Sequence, residues 1–251
     1  MHVSAILIGQ LILIMLALGL LSMIAYGMGY VLERLRLPER RQKLIRRFTL
    51  AALALWMTLL AVLAFVGFFE RFDWTPPSVV LAVVPPLLVI MALLASRAFR
   101  LMLRLVPMSW LFYAQGFRLI LDLFLWLGYK GGYVPPQMTF AWLNYDIIVG
   151  LTAPMAGYVF FGKGRYHRLE AIWWNVFGVL ILLNTMVVGL LSLPTGFQVF
   201  RTQPDMTFVA GFPFIWIPGL FVPLALALHL FSLMQLFGKK GRPRRTFSLR
   251  R

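Results

Sequence analysis

Apolar runs of eighteen residues or more recur from one end of the chain to the other. Runs of this length and composition read as transmembrane helices, because about 20 residues rising about 1.5 Å each cross a hydrocarbon core about 30 Å thick. The runs are continuously apolar rather than alternating, which disfavours a membrane barrel. Seven spans are expected, near residues 4–31, 48–69, 78–95, 107–128, 140–161, 171–192 and 212–237. With only 13% charged residues and a mean hydropathy of +0.84, a chain of 251 residues leaves no room for a separate soluble domain. The expected architecture is an all-α, polytopic seven-helix bundle over residues 1–238, followed by a basic tail over 239–251. The first run lacks a basic flank and exceeds the roughly 7–15 apolar residues of a signal peptide, so it is expected to stay as a span.

The formal net charge of +16 invites a nucleic-acid reading, but the placement of the charges argues against one. The segment "ERLRLPERRQKLIRR" carries seven basic residues, "SRAFRLMLR" three, "GKGRYHR" three and "GKKGRPRRTFSLRR" seven. The alternate connections hold only Arg71, Lys130 and Arg201. Positive charge accumulates on the cytoplasmic side of membrane proteins, so the amino terminus is expected outside and the carboxyl terminus in the cytoplasm. Trp74, Tyr129, Tyr133 and Trp142 then flank outer ends, and Tyr26, Tyr30, Tyr166, Trp173 and Trp174 inner ends. The partner implied throughout is the lipid bilayer. The first cytoplasmic loop and the tail are candidates for anionic lipid, at about 1 kcal/mol per basic residue near the surface, though a topogenic role alone explains them and is the favoured reading.

One basic residue remains inside a span. In "YAQGFRLILDLFLW", Gln115, Arg118 and Asp122 fall at i, i+3 and i+7, within about 60° of one another around a helix. Arg118 and Asp122 are spaced to bridge within the helix. An unpaired charge at the bilayer centre costs several kcal/mol or more, so this face is expected to point into the bundle. The fifth span supplies a second acid. Asp146, Gly150, Ala153 and Gly157 share one face, whose small residues admit a close neighbouring helix. Pro154 lacks an amide, which leaves the Gly150 carbonyl unclaimed. Each aspartate is expected about 9–10 Å below the outer boundary at about 1.5 Å per residue. One acid can then pair with Arg118 while the other handles a proton.

Further polar residues are placed by helical geometry. His229 in the seventh span is expected near the level of Gln115, as a proton relay or as a simple hydrogen-bonding partner of a neighbouring helix. Pro218 and Pro223 should kink the outer half of that span. Asn184 lies in the outer half of the sixth span, whereas Asn175, half a turn away around the helix, is expected at the cytoplasmic interface. Asn144 is expected to point away from Asp146. The candidate site is therefore Gln115, Arg118, Asp122, Asp146, His229 and Asn184. The connection "LSLPTGFQVFRTQPDMTFVAGFPF" is long enough to lay an interfacial or re-entrant segment over it.

Several chemistries are excluded or weakened. Without cysteine there is no disulfide, thiolate metal site or thiol catalysis. All five lysines lie outside the spans, which excludes a retinal Schiff base. Tyr145-Asp146 resembles the YD dipeptide of presenilin-like proteases, but their GxGD partner is missing. No HExxH, GxSxG, P-loop or EF-hand pattern is present, and His2, His167 and His229 are too dispersed for a tri-histidine metal centre. No cofactor is expected, and catalysis is the less favoured role.

The segments "QGFRLILDLFLW", "PPQMTFAWLNYDIIVGLTAP", "LLNTMVVGLLSLPTGFQVF" and "FPFIWIPGLFVPLALALHLFSL" resemble a group of bacterial hypothetical multi-pass membrane proteins, over roughly residues 108–237. That resemblance implies a bacterial inner-membrane setting and no assigned activity. Two roles fit the residues: movement or sensing of a small solute or proton through the polar centre, or a structural and assembly role in which the polar residues only fix helix packing. A lipid-modifying enzyme using the outer acids is a third.

Overall fold

The computed structural model describes residues 2–35 and 37–238, with side chains from Ile6 onward. Every regular element among the described residues is helical. The α-helices are α1 (His2–Arg34), α2 (Glu39–Phe65), α3 (Val80–Ala95), α4 (Arg97–Leu103), α5 (Met108–Ala114), α6 (Phe117–Lys130), α7 (Asp146–Phe161), α8 (Arg168–Ser192) and α9 (Val222–Phe237). Among the described residues six helical stretches are long and apolar enough to cross a membrane: Ile6–Arg34, Glu39–Phe65, Met108–Lys130, Asp146–Gly164, Arg168–Ser192 and Ile217–Phe237.

The expected third span is the exception. α3 has 16 residues, and α4 leaves it at 84° after Ser96. At about 1.5 Å per residue α3 is only about 24 Å long, short of the bilayer core. The bend has a local cause: Ser96 takes an extended conformation, and its hydroxyl accepts from the Phe99 amide (3.3 Å), capping a new helix instead of continuing the old one. The chain reaches seven crossings only if this bent pair counts as one.

Other boundaries also move. α2 begins at Glu39, nine residues before the expected span, because the charged stretch that follows Glu39 is helical too. It stops where Gly67 adopts φ +70°, a left-handed conformation that suits glycine. α7 begins at Asp146 instead of near residue 140. The seventh stretch opens with a π-helical turn, Ile217–Phe221, in place of a simple kink.

Proline explains how α2 is attached. Pro223 cannot donate to the carbonyl four residues earlier, which is that of Gly219. The indole of Trp56 on α2 donates to this carbonyl instead, at 2.9 Å. In return Trp216 donates its indole N–H to the Met57 carbonyl, at 3.1 Å. These two bonds clasp α2 against the entry to α9.

Burial sets the centre of the bundle. In its most apolar window Met108–Lys130 is 61% buried, against 17% for α2, so α5 and α6 form the axis and α2 lies at the periphery. The apolar side chains that α1 and α2 expose, such as Leu11, Met15, Leu55 and Phe65, suit contact with lipid. α7 meets α6 backbone to backbone: a Cβ on Gly150 would lie 2.8 Å from Leu119 Cα. Asp146, Gly150, Ala153 and Gly157 are all buried, as their shared face requires.

The two long connections cover one end of this axis. Gln137 donates to Ser192 Oγ (2.9 Å) and accepts from Thr202 Oγ1 (2.9 Å), tying both connections to α8. The Trp56 clasp is testable. Trp56→Phe keeps the ring and removes the donor, so the purified protein should lose about 1 kcal/mol in detergent unfolding. No loss would show that the Gly219 carbonyl finds another partner.

Candidate functional site

Gln115, in the turn before α6, and Arg118 and Asp122, on one face of α6, point inward, and the three side chains are 1%, 1% and 2% exposed. Arg118 reaches two other elements. Its Nη2 forms an ion pair with Asp146 Oδ1 on α7, and its Nη1 lies 2.9 Å from His229 Nε2 on α9. The expected Arg118–Asp122 bridge is replaced by this longer-range pair. The Gly150 contact explains the choice: it draws the first turn of α7 against α6, so that Asp146 comes to Arg118. Asp146 also sits in the first turn of its helix, where the exposed amides favour negative charge.

Asn144 is the hub that sequence spacing placed elsewhere. It precedes α7, so the helical angle between it and Asp146 does not apply. Its Nδ2 donates to Asp122 Oδ1 (2.7 Å) and to the Met138 carbonyl (3.1 Å). Its Oδ1 accepts from the Asp146 amide (3.0 Å) and from Thr185 Oγ1 (2.9 Å). Two donors and two acceptors are all that a carboxamide offers, and all are used. The bond to the amide two residues on is an Asx turn, a local signal that could have placed Asn144 from the sequence. Thr185 Oγ1 also lies 3.2 Å from Asp146 Oδ1, joining the two acids through α8.

The other side of Arg118 continues through the histidine. Guanidinium offers only donors, so His229 Nε2 accepts from it and the ring proton sits on Nδ1. Asn175 agrees, since its Nδ2 donates to Ser232 Oγ (3.0 Å) and to the Ala171 carbonyl (2.8 Å). That leaves its Oδ1 to accept from His229 Nδ1, at 3.0 Å. Asn175 is thus buried in the bundle interior, contrary to the cytoplasmic-interface expectation. The face of α8 that carries Asn175, Gly178, Leu182 and Thr185 is the inward one. Asn184 lies beside that face. It is partly buried and donates to the Leu143 carbonyl (2.7 Å), bracing the segment before α7 without touching the ion pair.

The result is one connected set of side chains: Asp122, Asn144, Thr185, Asp146, Arg118, His229, Asn175 and Ser232. Of the six residues expected at the site, Arg118, Asp122, Asp146 and His229 join this set. Gln115 approaches it through its bond to the Ala225 carbonyl (3.1 Å), one helical turn from His229. Asn144, Thr185, Asn175 and Ser232 are the members missing from the expected site. Thr185 and Ser232 carry little signal, being short hydroxyl residues inside apolar runs. Two surface hollows, one apolar between α1 and Ile120 and one lined by Ser22, Tyr26, Tyr30, Glu33 and Arg46, include none of these residues. Among the described residues no group of three or more His, Asp or Glu is placed to hold a metal ion. The basic tail lies outside the described residues.

A family model described as a domain of unknown function, DUF8737, matches residues 75–237. Neither a curated protein nor a solved structure matches the chain. Every residue of the polar network falls within the matched segment.

Glycine geometry provides a test of the network. A Cβ on Gly178 would press into the His229 ring, whereas one on Gly189 in the same helix would meet only Met138, at 3.6 Å. Gly178→Ala should therefore cost about 1–3 kcal/mol in thermal unfolding, the range for overpacking. Gly189→Ala should match or slightly exceed wild type. Equal stability of the two variants would show that His229 is not held against α8.

Proposed function

We propose that the chain, which belongs to the DUF8737 family, is a multi-pass protein of the bacterial cytoplasmic membrane that moves or senses a proton or small solute through its polar centre. The observation that carries this reading is the connected network itself. Two carboxylates, an arginine and a histidine are expensive to keep among apolar helices, and ionisable groups in such places mark ion and proton paths. A purely structural role needs one satisfied pair, and this network continues well beyond one. The roles divide by chemistry. Asp146 is committed to Arg118 and, through its backbone amide, to Asn144, while Asp122 has one oxygen on Asn144 and the other without a protein partner. Asp122 is accordingly the group that exchanges a proton or cation, and Asp146 holds Arg118 in place. His229 extends the network toward Ser232.

The orientation proposed has the amino terminus outside and the carboxyl terminus in the cytoplasm, supported by the twenty-to-three distribution of basic residues. Because the chain has no cysteine, single cysteines report topology cleanly. Arg201→Cys should react with a membrane-impermeant maleimide from outside intact cells, and Lys163→Cys only after lysis. The reverse pattern would invert the orientation.

Function is tested by proton flux into proteoliposomes. Wild type should exceed empty vesicles, Asp122→Asn should lower the flux at least about tenfold, as expected for a lost proton-transfer group, and Asp146→Asn should lower it by releasing Arg118. Flux that survives both substitutions would sink the proposal. A packing role has its own support in how tightly Arg118, Asp146 and Asn144 are satisfied. It predicts flux no greater than that of empty vesicles.

A further inference from the structure

Among the described residues three buried side-chain atoms have no hydrogen-bond partner: Gln115 Oε1, Arg118 Nε and Asp122 Oδ2. Arg118 and Asp122 belong to the inward face of α6, and Gln115 sits in the turn that leads into it. They run in the order acceptor, donor, acceptor along successive turns. Buried polar atoms are seldom left unpaired, so three together point to a missing partner with a definite pattern.

The pattern does not come from a misassigned amide. Gln115 Nε2 is needed by the Ala225 carbonyl, so turning the carboxamide over would set two oxygens against each other. Asp122 cannot swap its oxygens to any advantage, since Asn144 has no donor left. Arg118 has already committed its Nη groups to Asp146 and His229, which fixes where Nε points.

We infer that these three atoms form a hydration site, holding ordered water that accepts from the single Arg118 Nε–H and donates to Gln115 Oε1 and Asp122 Oδ2. Spacing selects water over a larger guest. Side chains three and four residues apart on a helix have Cβ atoms about 5–6 Å from each other, close enough for polar atoms on adjacent turns to share one small bridging molecule. Water also satisfies the sequence of partners, since it donates to both oxygens and accepts from the guanidinium.

The water does what the side chains cannot. Arginine stays protonated in proteins, so a proton hopping along Asp146, Arg118 and His229 stops at the guanidinium. Water on the α6 face runs past Arg118 on its free side. A proton released by Asp122 Oδ2 joins this water, which passes one of its own protons to a further water as the acceptor, because the Gln115 carboxamide takes none and both nitrogens of His229 are engaged. Gln115 is bonded to the Ala225 carbonyl, one turn of α9 before His229. This transport role rests on the proton reading above, whereas hydration of the face stands without it.

The test is a high-resolution structure of the full-length protein in lipid nanodiscs, joined to proton flux for wild type and Gln115→Leu. Ordered water within hydrogen-bonding distance of at least two of the three atoms, with flux about tenfold lower in Gln115→Leu, supports both parts. Ordered water in a protein with no flux above empty vesicles supports the hydration site and overturns the proton reading. If the three atoms pair with protein groups, or no ordered water touches them, the inference is overturned whatever the flux. Since the structural arm uses wild type alone, it does not depend on the variant folding.

Discussion

A guanidinium 1% exposed among apolar helices has to be compensated from within the protein, and much of the bundle's geometry follows from how that is done for Arg118. The compensation is assembled from three helices that are distant in sequence. α7 brings a carboxylate, α9 brings an imidazole acceptor, and α8 brings the threonine and asparagine that hold those two groups in orientation. Helices with little hydrophobic reason to prefer one rotation over another inside a membrane acquire one here. Rotating α8 by half a turn would strand both His229 and Asp146.

The departures from regular helix cluster around the same centre. The chain between residues 139 and 145 is not helical, and this lets Asn144 offer both faces of its carboxamide to the two acids. Met108–Lys130 is interrupted at Gln115 and Gly116, where the amides of both residues bond three residues back rather than four. The π-helical turn before α9 leaves the Gly219 carbonyl to α2. Irregular backbone survives between membrane helices only where other protein groups answer it, and each of these irregularities is answered by a named side chain or by the network itself.

What the sequence made legible follows from what periodicity encodes. The helical class, the inward face of Arg118 and Asp122, and the close-packing face of Asp146, Gly150, Ala153 and Gly157 are consequences of 3.6 residues per turn, and they appear as expected, while Gln115 also turns inward although the helix is interrupted there. The partner of Arg118 was not legible. Asp122 at i+4 is the local solution, and Asp146 prevails because Gly150 lets two backbones meet, a fact of tertiary packing. Asn144 and Asn175 were misplaced for different reasons. Asn144 lies outside any helix, so a helical angle does not place it, and Asn175 shares the inward face of α8 with Thr185 and not with Asn184. The break after α3 was hidden because Ser96 interrupts an otherwise helical pattern with a single capping residue.

The central claim is that Arg118 is coupled to Asp146 across helices, and more strongly than to Asp122 along its own helix. Double-mutant cycles on thermal unfolding in lipid nanodiscs measure this directly, using Arg118→Leu combined in turn with Asp146→Leu and Asp122→Leu. Breaking a buried pair by removing one partner costs about 3–5 kcal/mol, much of it recovered when both partners are replaced. The structure predicts a recovery of that kind for Arg118 with Asp146, and a markedly smaller one for Arg118 with Asp122. Equal coupling in the two cycles, or stronger coupling to Asp122, would contradict the arrangement described.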